Sequence, residues 1–94
     1  MKALSWLRSS NWKPLFHNVE IQGVQVDIVA RDPGGLLHLI EVKSNTYVMH
    51  LSGAQKRRLF RVAALLAEYE RVELGLAVPA GKGFHLIPVD ALTD

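Results

Sequence analysis

The 94-residue chain has no cysteine, which excludes disulfide frameworks and thiolate metal sites and agrees with a reducing cytoplasm. Long hydrophobic runs are missing too. Ser5, Arg8, Ser9, Ser10 and Asn11 break up the stretch from Met1 to Trp12, whereas a secretory signal needs about 7–15 continuous apolar residues. No segment approaches the ~20 apolar residues of a membrane span, so a soluble, cytoplasmic protein is expected. Charge of one sign is not in large excess: the formal net charge is +2, too little for whole-molecule attraction to diagnose a polyanion partner. Repeats, linkers and low-complexity tracts are absent. The length allows one domain, residues 1–94, and at this size a homodimer interface is expected to add to a modest core.

What is present is a pattern. Ala3 to Ser10 suits a short helix, with Leu4 and Leu7 on one side. Pro14 precedes an extended run, Leu15 to Ile21, and Gln22-Gly23 reads as a turn. Val24 to Arg31 alternates as a strand does, with Val24, Val26, Ile28 and Ala30 on one face and Gln25, Asp27, Val29 and Arg31 on the other. Asp32-Pro33-Gly34-Gly35 is a turn, and Leu36 to Lys43 is the next strand. After a polar loop, Ser44 to Leu51, Ser52 and Gln55 form a capping-box pair. Leu59, Val62, Ala63 and Leu66 then recur at helical spacing up to about Tyr69. Val72 to Val78 and Phe84 to Val89 read as two strands joined by Ala80-Gly81-Lys82-Gly83. The predicted class is α/β (α+β): an αβββαβ core with a mixed sheet flanked by helices. The pattern leaves the strand order open.

Three charges sit where strands prefer apolar residues. Asp27 interrupts one strand, and Glu41 and Lys43 flank Val42 at the end of another. A period of two places Glu41 and Lys43 on one face, and Gln25 with Asp27 on one face. Register decides whether those faces coincide. An odd loop centred on Gly34 sets Asp27 opposite Glu41, while a two- or four-residue turn sets it opposite Ile40. Neighbouring carboxylates raise each other's pKa unless a cation lies between them, and their oxygens suit Mg²⁺ or Mn²⁺. Lys43 could then orient water or stabilise charge on a phosphate. The plainer alternative is a surface ion pair between Glu41 and Lys43 beside an unrelated aspartate.

Lys56, Arg57, Arg58 and Arg61 fall within six positions. Such a run either contacts phosphates or forms a solvated helix face.

The segment Val24-Gln-Val-Asp27-Ile-Val-Ala-Arg31, followed by Leu39-Ile-Glu41-Val-Lys43-Ser44, resembles the D…ExK signature of PD-(D/E)XK, or restriction endonuclease-like, nucleases. More narrowly, Asn18, Gly23, Asp27-Ile-Val-Ala-Arg-Asp32, Glu41-Val-Lys-Ser44 and Gln55-Lys-Arg-Arg-Leu59 resemble the YraN-like bacterial family of predicted endonucleases. That family is similar in turn to archaeal Holliday-junction resolvases. The resemblance runs from about Leu4 to Leu92. It implies a Mg²⁺- or Mn²⁺-dependent endonuclease hydrolysing DNA phosphodiesters in repair or recombination, on branched or damaged DNA. Asp27, Glu41 and the Val42 carbonyl would hold the metal, with Asp27, Glu41, Lys43 and Gln55 as catalytic residues. Lys56, Arg57, Arg58 and Arg61 would contact the nucleic acid. Two departures stand out: Met1 to Ser10 lacks the glutamate that relatives carry there, and Gln25 stands where they have glutamate. Glu20 is a poor substitute. The rival expectations are a non-catalytic nucleic-acid-binding domain that kept the fold, and an assembly domain whose basic helix meets an acidic protein.

His17, His38, His50 and His85 show no metal-ligand spacing and read as structural or surface residues. Trp6, Trp12, Phe16, Phe60 and Phe84 read as core or interface. Tyr47 and Met49 lie in the loop after Lys43, and Gly81-Lys82-Gly83 reads as a hairpin turn, not a phosphate loop.

Overall fold

The computed structural model describes residues 1–43 and 52–89. Helix α1 (Lys2–Ser9) precedes strands β1 (Lys13–Ile21), β2 (Val24–Arg31) and β3 (Leu37–Val42). Helix α2 (Gly53–Leu66) and strands β4 (Val72–Ala80) and β5 (Gly83–Pro88) follow. The strands form one mixed sheet in chain order, β1-β2-β3-β4-β5. β3 and β4 run parallel and the other neighbours antiparallel. The parallel pair is the one joined through α2, since parallel neighbours need a long crossover while antiparallel ones close through short turns. The element order αβββαββ contains the predicted αβββαβ core, a mixed sheet flanked by helices in the α+β class.

The bounds differ in instructive places. β1 begins at Lys13 and includes Pro14. It is an edge strand, where the missing proline N–H forfeits no ladder bond, and the β1–β2 register shifts between Pro14 and Phe16. The β1–β2 turn has positive φ at both Gln22 (51°) and Gly23 (78°), as a two-residue turn matched to strand twist requires. At α2 the capping box is formed: the Gln55 amide donates to Ser52 Oγ and the Ser52 amide donates to Gln55 Oε1, each at 3.1 Å. The helix ends at Leu66, short of the expected Tyr69.

Alternating strand residues feed two cores on opposite faces of the sheet. Leu59 and Val62 of α2 pack with Val29, Leu39, Leu76 and Val78. Ala3, Leu4 and Leu7 of α1 pack with Ile28, Ala30, Ile40 and Ala77. Val24 and Val26 also join the cluster that contains Leu59 and Val62, and the β1–β2 register stays regular from Val24 to Val29. Among the described residues no helix is long and apolar enough to cross a membrane. Of the aromatic residues, Trp6 packs against Phe84 at 5.7 Å and Trp12 against His38 at 4.5 Å. Phe16 and Phe60 are exposed instead of forming core.

Gly83 opens β5 directly beneath Trp6. A Cβ there would lie 2.8 Å from Cδ1 and Nε1 of the indole, closer than packed atoms tolerate. Gly83→Ala is expected to destabilise the protein by about 1–3 kcal/mol through overpacking. A lower denaturation midpoint with altered tryptophan emission is the expected reading. An unchanged midpoint would show that the ring shifts at no cost.

Candidate active site

The Asp32–Gly35 turn determines the site. The β2–β3 register runs from Arg31 opposite Leu37 to Ile28 opposite Ile40, which is the odd-loop alternative. One step further along that ladder, Asp27 lies opposite Glu41 on the α2 side, in line with Val29 and Leu39. The turn is tied by Asp32 itself, whose Oδ1 accepts from the amides of Gly34 (2.9 Å) and Leu36 (3.0 Å). Its Oδ2 lies 2.9 Å from His38 Nε2, and that contact, first among several, holds the Asp32 carboxyl below its ordinary range. Arg31 makes a two-pronged ion pair with Glu70 (2.6 and 3.1 Å). Two residues of the Asp27–Asp32 motif thus serve the fold.

Asp27 and Glu41 border a cavity of about 370 Å³, together with Gly23, Val24, Gln25, Gln55, Arg58 and Leu59. β2 and β3 supply the acids, the β1–β2 turn one rim, and the first turns of α2 the opposite wall. Asp27 Oδ2 accepts the Val42 amide at 2.8 Å, which pins its carboxylate to the end of β3. Glu41 differs. Its Oε1 is buried without a hydrogen-bond partner, and its carboxyl is pushed up to about 7, first by burial and then by the charge of Asp27. A contact from the Asp27 backbone and the charge of Lys43 pull the other way.

This donor set fits a hard divalent cation. Two adjacent carboxylates offer oxygen, one with an idle buried lone pair, and the Gln25 and Gln55 amides border the same space. The Gln55 carbonyl oxygen, however, is already engaged in the helix cap. Among the described residues no group of three or more His, Cys, Asp or Glu is gathered at one point. Glu20 is exposed on β1, opposite Gln25, and does not line the cavity.

The remaining predicted residues are spread around this centre. Arg58 reaches the cavity wall. Arg57 and Arg61 are exposed on α2, and Lys56 is half-buried there. Period-two extrapolation puts Lys43 on the face of Glu41, but β3 ends at Val42. Lys43 instead borders a groove on the α1 side, along with Val42, while its charge still acts on Glu41. Gly23 and Leu59 line the cavity without having been singled out as site residues. The turn, the helical spacing and the family motif mark them, and none of these signals assigns them chemistry. Ser44, Tyr47, Met49 and His50 lie outside the described residues.

A solved EndoMS–dsDNA2 complex is similar in fold, with a TM-score of 0.56 and 21% identity, over 86% of this chain and 37% of that one. At that identity the likeness concerns the fold, and this chain spans little more than a third of its solved relative. No curated protein matches by sequence. The profile of Uncharacterised protein family UPF0102 matches residues 1–86. With the fold and nearly the whole length in agreement, the chain belongs to that family, the YraN-like group of restriction endonuclease-like proteins.

Proposed function

We propose that this protein is a Mg²⁺- or Mn²⁺-dependent endonuclease that hydrolyses DNA phosphodiesters, with Asp27 and Glu41 as the metal-holding pair. The observation that carries this reading is the buried, unpartnered Glu41 Oε1 beside Asp27. A buried anion without a partner is costly, and proteins keep such pairs where a cation relieves them. When bound, a divalent cation would supply charge against the developing phosphorane and acidify water near neutral pH.

The chain's own residues do the rest. The Val42 amide fixes the Asp27 carboxylate, so the pair is oriented before substrate arrives. Arg58, on the cavity wall, would hold a phosphate by its planar guanidinium. Lys43 leaves the end of β3 on the groove side, and its ammonium, whose charge acts on Glu41, would reach past the strand end to the phosphate oxygens or the attacking water. Arg57 and Arg61, exposed on the same helix as Arg58, add backbone contacts that read no sequence. The EndoMS relative is a complex with dsDNA, which supports DNA as the polymer. Branched or damaged DNA is the substrate class that the family resemblance implies.

The test is cleavage of supercoiled, linear, single-stranded and four-way-junction DNA with Mg²⁺, Mn²⁺ or EDTA. Metal-dependent cutting of at least one substrate is expected. A second reading is favoured by Gln25, which borders the cavity where the family resemblance implies a glutamate: a DNA-binding module that kept the fold without chemistry. Salt-sensitive binding with no cutting under any metal would select it.

A further inference from the structure

We propose that the groove on the α1 side of the sheet receives a single-stranded stretch of DNA next to the position of cleavage. The groove has a volume of about 970 Å³. Three elements bring lysines to it: Lys2 from α1, Lys43 from the end of β3 and Lys82 from the β4–β5 turn. Among the described residues that line it there is no aspartate or glutamate. Lysines converging from separate elements, with no acid beside them among the described lining residues, make a local polyanion site on a molecule whose net charge is only +2.

The wall between them is aromatic. Trp6 and Phe84 border the groove, half-buried, with their rings tilted by 51°. Paired bases hide their faces in the duplex stack, so a duplex would use the lysines alone. An unpaired strand can use both features, laying phosphates on the lysines and a base on the rings. Position supplies the link to chemistry. Glu41 faces the carboxylate cavity, Val42 and Lys43 face the groove, and the two sites are therefore one residue apart along β3. A strand cut at the cavity passes the end of β3 and enters the groove. The proposal rests on the nuclease reading for that path alone; binding in the groove is measured separately.

The experiment uses the full chain with Trp12→Phe, which leaves Trp6 as the sole tryptophan of the original two. Its emission is followed during titration with oligo(dT), with duplex of equal length, and with polyglutamate, at several salt concentrations without divalent metal. Oligo(dT) is expected to quench Trp6, and duplex and polyglutamate are not. In Lys2→Ala/Lys82→Ala, loss of two phosphate contacts should flatten the salt dependence of single-strand binding by about 1.4, at ~0.7 per contact. Fluorescence anisotropy of labelled oligo(dT) repeats this comparison with Trp12 intact, so a folding defect in the reporter does not decide the outcome. Both lysines are exposed. Quenching by duplex or polyglutamate in place of oligo(dT) overturns the proposal, the latter in favour of an acidic protein segment. So does a salt dependence that ignores Lys2 and Lys82. Lysine-dependent quenching without any metal-dependent cutting supports the groove while removing the nuclease reading. Cutting without quenching has the opposite meaning.

Discussion

Glu41→Gln is expected to make the metal-free protein more stable at pH 8 while abolishing cleavage. The Glu41 carboxyl moves from an ordinary 4.5 in the unfolded chain to about 7 in the fold. Below about pH 4.5 it is protonated in both states and costs nothing. As pH rises from there through 7, the unfolded chain ionises freely while the fold resists, so stability is lost over that window and stays lost above it. For a dry group the displacement would amount to roughly 3 kcal/mol. Glu41 is only half-buried, and solvent screening reduces the expected gain from Glu41→Gln to about 1–2 kcal/mol. Denaturant melts at pH 4 and pH 8 check it: wild type and variant should converge at pH 4 and separate at pH 8. Added Mg²⁺ or Mn²⁺ should raise the wild-type midpoint and leave the variant unmoved, since a ligand stabilises only the state that binds it. Cleavage should fall by roughly 10²–10³-fold or more. A variant less stable than wild type at pH 8 would mean that Glu41 is satisfied as an anion without metal, and the site reading would fail with it.

Lys43→Ala is expected to lower cleavage by about 10²–10³-fold, the usual effect of removing one charge that faces the transition state. DNA affinity should change only a few-fold, because Arg57, Arg58 and Arg61 keep their phosphate contacts. The metal-induced rise in melting midpoint should persist, as Asp27 and Glu41 are untouched. This combination separates Lys43 from a metal ligand and from a general affinity residue. The ammonium already acts on Glu41 electrostatically, so the Glu41 carboxyl should also rise further in the variant. Single-turnover rates with saturating enzyme make the comparison cleanly. Equal rates for Lys43→Ala and wild type would assign Lys43 to the groove alone.

Much of this architecture could be read in the chain because its signals are local. The alternation of Val24–Arg31 bounds β2 as found, and Ser52 with Gln55 marks the start of α2 through a pairing four residues long. The Asp27–Glu41 encounter was legible as a condition, an odd loop about Gly34, which the Asp32 side chain enforces by gathering the Gly34 and Leu36 amides. Other features depend on what lies across space. Strand order follows from which faces α1 and α2 cover, and no periodicity encodes that. Pro14 suggests a break until β1 is known to be an edge. The side of Lys43 follows from where β3 stops, because alternation gives no direction past the last paired residue. Burial of Glu41 likewise comes from α2 folding over β3.

Surface turns are where proteins gain and lose residues most freely, yet the Asp32–Gly35 turn is denied that freedom. Adding or deleting a single residue there would carry β3 by one step against β2 and send Glu41 to the α1 side, away from Asp27. Changes of two residues would return the acids to a common face. Length changes at this turn that keep the two acids together are therefore expected to come in even steps, a counting rule that governs an otherwise unremarkable loop.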